Sequence, residues 1–202
     1  MPAKKKPSSQ PQLRILLVDD DPDRAANVRQ ALVKNGYDVV SQLSNPLALY
    51  DAMRIWTPDV VIVDTDSPSR DALEHIALVS RDAPKPIVMF SQDGSNDTIR
   101  DAVRAGVSAY VVDGMTSKRL QPILQVAIER FAAEQILKAE LAETKVALSE
   151  RKCVERAKGL IMKREHVDEE AAFRLLRKFA MDKGIRMGEA SQRMIDILSI
   201  VG

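Results

Sequence analysis

Leu13-Arg14-Ile15-Leu16-Leu17-Val18-Asp19-Asp20-Asp21 decides the reading of the first half of the chain. A short, branched apolar run that stops abruptly on carboxylates is a strand apolar on both faces, as in the middle of a parallel sheet. Similar runs recur at Val39–Val40 with their neighbours, Val60–Val63, Ile87–Phe90 and Ala109–Val112, each bounded by Asp, Pro, Gly or Ser. Stretches of helical period lie between them. Ala25, Val28 and Leu32 share a face, followed by Gly36 where a left-handed helix cap belongs. Leu47, Tyr50 and Met53 make a second face, Leu73, Ile76, Ala77 and Val79 a third, and Ile99 with Val103 a fourth that ends at Gly106. Strands alternating with helices in this way predict an α/β doubly wound, five-stranded parallel sheet.

After Met115 the strand pattern stops. Residues 117–164 contain one glycine, Gly159, and one proline, Pro122, near the helix start where proline is tolerated. One long helix or two collinear ones is expected. Leu137, Leu141, Thr144 and Leu148 follow 4-3-4 spacing, a coiled-coil-like seam of about two heptads. Asp168 is the expected N-cap of a further helix, with Glu169 and Glu170 in its first turn and Gly184 at its end. A last helix carries Met194, Ile195 and Leu198. The expected organisation is a basic disordered tail over 1–12, an α/β domain over 13–120, a helical linker over 121–147 and a three-helix domain over 148–202.

Composition narrows the function classes. With 45% apolar residues among 202 the chain has enough apolar surface to fold, and no apolar run approaches the ~20 residues of a membrane span. No apolar segment of a secretory leader follows the basic N-terminus, so a reducing cytoplasm is the expected compartment. Cys153 is the sole cysteine, which excludes an internal disulfide or a multi-cysteine metal site. His75 and His166 lie far apart and argue against a histidine-based catalytic centre. The net charge of +1 conceals an asymmetry: residues 13–114 carry 10 Lys/Arg against 16 Asp/Glu, whereas residues 148–202 carry 12 against 9. The basic end is the place to look for a polyanion partner.

Chemistry in an open parallel sheet sits beyond the carboxyl ends of its strands. There the first strand presents Asp19 and Asp20, the third Asp64-Thr65-Asp66-Ser67-Pro68, and the fourth Ser91. Converging carboxylates repel unless a cation lies between them, and an all-oxygen set suits Mg²⁺. Asp19, Asp20 and Asp64 are therefore candidate metal ligands, and Asp64 a candidate nucleophile for a phosphoryl group.

These residues resemble the receiver domain of response regulators over residues 13–120. The resemblance implies that Asp19 and Asp20 are the metal-binding acidic pair, Asp64 the phosphoacceptor, Ser91 the switch hydroxyl and Tyr110 the switch aromatic. Where the family closes its fifth strand with a Lys-Pro pair, this chain has Asp113-Gly114. An aspartate there replaces a positive charge with a negative one, which favours control by something other than phosphorylation.

In the basic end, Lys152, Arg156 and Gly159 share one helical face at i, i+4, i+7. Gly159 lowers helix stability, which makes sense if another backbone comes close. Arg177, Lys178 and Lys183 can extend the same basic surface. Residues 148–202 resemble an ANTAR domain through Ala157-Lys158-Gly159-Leu160-Ile161-Met162 and Ala171-Ala172-Phe173 with Leu176-Arg177. That resemblance implies a dimeric transcription antiterminator that binds stem-loops in a leader RNA, with Lys152, Arg156, Ala157, Lys158, Gly159, Arg177, Lys178 and Lys183 in the RNA-binding set. Within the family the chain is similar to NasT-type regulators of nitrate and nitrite assimilation, which implies a sensor partner similar to a solute-binding protein. Three alternatives stay open: phosphorylation at Asp64 by a histidine kinase, a DNA-binding response regulator, and a Mg²⁺-dependent phosphatase suggested by Asp64-Thr65-Asp66.

Overall fold

The computed structural model describes residues 12–112, 115 and 117–200. All of the expected basic tail except Gln12, and the pair Asp113-Gly114, lie outside the described residues. The chain divides into two compact units between Glu134 and Gln135.

The first unit is built on the strands β1 (Arg14–Asp19), β2 (Asp38–Leu43), β3 (Val60–Thr65), β4 (Ile87–Ser91) and β5 (Ala109–Val112). They form one all-parallel sheet in the order β2-β1-β3-β4-β5. Helices α1 (Pro22–Lys34), α2 (Leu49–Trp56), α3 (Arg70–Asp82) and α4 (Asn96–Arg104) make the crossovers. Alternate residues of each strand point to opposite faces, so the sheet has two cores. Ile15, Leu17, Ile62, Val88 and Phe90 pack with Ala25, Val28 and Leu32 of α1 and with Leu120, Leu124 and Ala127 at the start of α5 (Ser117–Glu165). Leu16, Val18, Val61, Val63 and Met89 pack on the other face with α2, α3 and α4.

Two helix faces differ from the sequence pattern. In α4 the small Ala102, with Ala105 beyond the helix end, faces the core, and the β-branched Val103 lies 57% exposed. Leu47 sits in a 3-10 turn ahead of α2 and is exposed, leaving Leu49, Ala52 and Met53 to fill the core. In α4 close approach to the sheet selects the shorter side chain, and at α2 the 3-10 turn shifts the helix start past Leu47, neither of which periodicity alone reveals.

The second unit is all-helical. The end of α5, α6 (Glu169–Lys183) and α7 (Met187–Ile200) enclose a core of Ala157, Ile161, Ala172, Leu176, Ala180, Ala190 and Ile195. Four of these seven are alanines, so the helices approach closely and the larger Ile161 and Leu176 fill the remaining space. The Asp168 carboxylate caps α6 by accepting from the Ala171 N–H at 2.8 Å, and Gly184 ends it at φ +63°. Leu175 of α6 is 44% exposed. Leu137, Leu141 and Leu148 in the middle of α5 are exposed, and the Thr144 hydroxyl donates back to the Glu140 carbonyl. No described helix is long and apolar enough to cross a membrane.

Candidate functional site

The register of the sheet aligns the acidic residues. Asp19 ends β1 opposite Asp64 of β3, and Thr65 of β3 lies opposite Ser91 of β4. Because all strands run the same way, these residues gather at one edge, with Asp19 3% and Asp64 5% exposed. Asp20 and Asp66 extend from the following loops into solvent.

A residue the sequence reading missed stands at the centre. Arg24, in the first turns of α1, reaches back over the strand ends. Its Nη2 lies 3.0 Å from Asp19 Oδ1 and 2.6 Å from Asp20 Oδ1. Its Nη1 lies 2.7 Å from Asp66 Oδ1, and its Nε 3.6 Å from Asp64 Oδ1. The local sequence sets up this reach. Pro22 opens α1, and the Asp21 side chain caps it by accepting from the Asp23 and Arg24 N–H groups. Arg24 then falls four residues after Asp20, the spacing of an ion pair on a helix, and that was the available signal.

Electrostatics follow from this crowding. Burial pushes the Asp64 carboxyl up to about 6, opposed by the charge of Arg24 and reinforced by Asp19, Asp20 and Asp66. Burial likewise raises Asp19, against the hydrogen bonds from Arg24 and the Asp21 N–H. Burial disfavours the charge on Arg24, but the hydrogen bond and charge of Asp19 outweigh it, and the guanidinium is held more firmly protonated than usual. The described carboxylates do not fit a divalent ion as they stand. The space between them is filled by a guanidinium, and among the described residues no three His, Cys, Asp or Glu side chains are arranged to hold a metal. Asp19, Asp20 and Asp64 do converge, but on Arg24.

The two expected switch residues face the loop between β4 and α4. Ser91 Oγ donates to the Asp66 carbonyl at 2.9 Å and accepts from the Asp93 N–H. The Tyr110 hydroxyl donates to the Asp93 carbonyl at 2.7 Å. The Gln92 and Asp93 N–H groups also donate to the Asp66 carbonyl. The Asp93 carboxylate accepts from the Ser95 N–H and from the Thr98 and Ser67 hydroxyls, which hold it down at about 2. Asp113, the third expected switch position, lies outside the described residues.

The second unit separates the basic residues into two kinds. Lys158 is only 8% exposed, and its Nζ lies 2.6 Å from Glu169 and 2.9 Å from Glu155. These two partners raise its pKa and tie α5 to α6. Lys158 is therefore engaged between the helices in this structure, and Ala157, wholly buried, is in the core. Both placements have one cause: the helix turns that face of the motif toward α6. Lys152, Arg156, Arg177, Lys178 and Lys183 are exposed. Gly159 is exposed too, and a Cβ there would meet nothing within 4 Å. Among the described residues no neighbour requires this glycine. The Cys153 thiol faces Gln192 at 3.7 Å, and His75 Nδ1 pairs with the Asp71 carbonyl one turn back, so both are engaged locally.

A parallel sheet of this order, with buried carboxylates ending β1 and β3, a hydroxyl ending β4 and a tyrosine in β5, defines a receiver. The chain belongs to the response regulator receiver domain family, matched over residues 15–125, and carries an ANTAR domain over residues 142–195. It is 28% identical over 185 residues to the transcriptional regulatory protein PdtaR of Mycobacterium tuberculosis, covering 92% of this chain and 90% of that one. It is 30% identical over 108 residues to the chemotaxis protein CheY of Bacillus subtilis, covering 53% of this chain and 90% of CheY. The signal receiver domain of a modulated diguanylate cyclase from Desulfovibrio desulfuricans shares the fold, with a TM-score of 0.55 at 23% identity over 61% of this chain and 99% of that domain. Both matched families are regulatory domains.

Proposed function

We propose that this ANTAR response regulator is an RNA-binding transcription antiterminator, acting on stem-loops of a leader transcript. The observation that carries the reading is the exposed basic surface of the second unit, whose members form no ion pair among the described residues: Lys152 and Arg156 of α5 with Arg177, Lys178 and Lys183 of α6. Such cations exchange counterions for phosphates, which supplies affinity and a steep salt dependence. Gly159 adds shape to charge. A glycine inside a helix lowers its stability by roughly 1 kcal/mol relative to alanine, and no packing among the described residues accounts for it. A nucleic-acid backbone that must come close does.

Two copies acting together suit paired stem-loops, because a second linked contact raises affinity without new chemistry. The exposed Leu137, Leu141 and Leu148 of α5 offer an apolar seam to a second copy. The genes controlled are those of nitrate or nitrite assimilation, and a solute-binding-protein-like sensor withholds the regulator until its ligand arrives.

The test is transcription through a nitrate-assimilation leader in vitro. Added protein should raise read-through past the terminator, and Arg156→Ala with Lys152→Ala should abolish the rise. Unchanged termination, with no leader-RNA retention at low salt, overturns the reading.

A further inference from the structure

The acidic pocket of the receiver carries its own cation. We infer that Arg24 stands in the place of a divalent ion, so that Asp19, Asp20 and Asp64 admit Mg²⁺ only when the guanidinium leaves.

The carboxylates come from three places in the chain: Asp19 and Asp20 at the end of β1 and just beyond it, Asp64 near the end of β3, and Asp66 in the loop that follows. Four negative charges so placed repel one another, and two of them are buried. Arg24 contacts all four, at 2.6 to 3.6 Å. The oxygens an ion would need are already engaged. Asp19 Oδ1 accepts from Nε at 3.1 Å and from the Asp21 N–H at 2.9 Å, and Asp20 Oδ2 takes the Thr65 hydroxyl at 3.4 Å. Mg²⁺ demands near-octahedral oxygen ligands at about 2.0–2.1 Å and sheds water reluctantly. It therefore competes poorly for oxygens that a planar, permanently charged donor already holds.

Arg24 is also more than a counter-charge. Its Nη1 holds the carboxylate of Asp66, and the carbonyl of the same residue receives Ser91 Oγ and the Gln92 and Asp93 N–H groups. One hydrogen-bonded path thus runs from the guanidinium to the loop between β4 and α4. The loops around Asp64 are drawn together by a side chain of the protein, a task otherwise left to bound ions. Removing Arg24 should open an ion site and free the Asp66 loop at once.

The inference goes beyond RNA binding and is tested without RNA, on the full chain, with Mn²⁺ as the probe. Free Mn²⁺ is read by electron paramagnetic resonance for wild type, Arg24→Ala and Arg24→Met. Both variants are expected to bind one Mn²⁺ at least roughly tenfold tighter than wild type, as follows if the guanidinium holds the site for most of the time. The added Asp64→Asn change should remove that binding. Mg²⁺ should raise the melting temperature of the variants and leave wild type unmoved. Arg24→Met keeps the aliphatic stem and guards against loss of fold in Arg24→Ala. Wild type binding Mn²⁺ as tightly as the variants overturns the inference, and so does a folded Arg24→Met that binds none.

Discussion

Each half of the protein hides one cation among carboxylates, and the two do opposite things to their surroundings. Arg24 is gripped by Asp19, Asp20, Asp64 and Asp66, which come from separate parts of the sheet edge, so it closes a site that strand-end chemistry would leave open. Lys158 is gripped by Glu155 on its own helix and by Glu169 on the next, so it pins two helices and leaves the remaining basic residues to face outward. A count of charges treats the first half as acidic and the second as basic. Internal pairing sorts the charges differently: Arg24 reaches Asp19 and Asp64 at the ends of β1 and β3, while Lys152, Arg156, Arg177, Lys178 and Lys183 are exposed and form no ion pair among the described residues.

The comparison can be broken first at Arg24. Arg24→Ala leaves Asp19 and Asp64 buried without their counter-charge, and removing one partner of a buried pair is severe. Because the Arg24 side chain is 26% exposed, the expected loss is about 2–3 kcal/mol, below the fully buried range. Chemical denaturation in metal-free buffer measures it. A loss below that range would mean the pocket tolerates its charges without help.

Asp64→Asn sharpens the same point with the opposite sign. The folded protein raises Asp64 to about 6, so it binds that proton more tightly than the unfolded chain does. The resulting penalty is fully present above pH 6 and is relieved as the pH falls toward 4. Removing the charge should stabilise the protein by about 2 kcal/mol at pH 8, the attraction to Arg24 being already contained in the shift. Melting curves of both proteins should converge near pH 4. A gain that persists unchanged at pH 4 would assign it to something other than ionisation.

In the second unit the contrast lies between a pinned and a free cation. Arg156→Ala should lower the slope of log affinity against log salt for leader RNA by about one. Lys158→Met should leave that slope unchanged while lowering the melting temperature. If Lys158→Met removes as much slope as Arg156→Ala, the ion pairs with Glu155 and Glu169 open on binding. The smallest effect belongs to Gly159→Ala, expected to stabilise the helix by about 0.5–1 kcal/mol while weakening RNA retention. Stabilisation with unimpaired retention would show that nothing approaches the helix there.

Much of this was legible in the chain. The apolar runs ending in carboxylates announced the parallel sheet, since period and boundary are local properties. Gly184 and Asp168 announced the limits of α6, because caps act within one turn. The Asp19, Asp20 and Asp64 cluster was legible from topology, since parallel strands bring like ends together. Arg24 was not. Its spacing to Asp20 was visible, but its reach to Asp64 and Asp66 depends on how α1 sits across the ends of β1 and β3. The pairing of Lys158 was hidden for the related reason that its motif does not say which face of α5 meets α6.

The amino-acid sequence by itself determined the α/β and helical halves, the order of their elements and the residue types at each strand end, because hydrophobic period and capping are short-range. Only the tertiary structure decided which charges are spent and which remain. A salt bridge such as Arg24 to Asp66 or Lys158 to Glu169 joins residues on different elements, and its existence rests on distances of a few ångströms that no spacing along the chain specifies. The Coulomb interaction falls with distance and is screened by water. A lysine is therefore a solvated charge at the surface but, like Lys158, a helix pin when 10% exposed beside two glutamates.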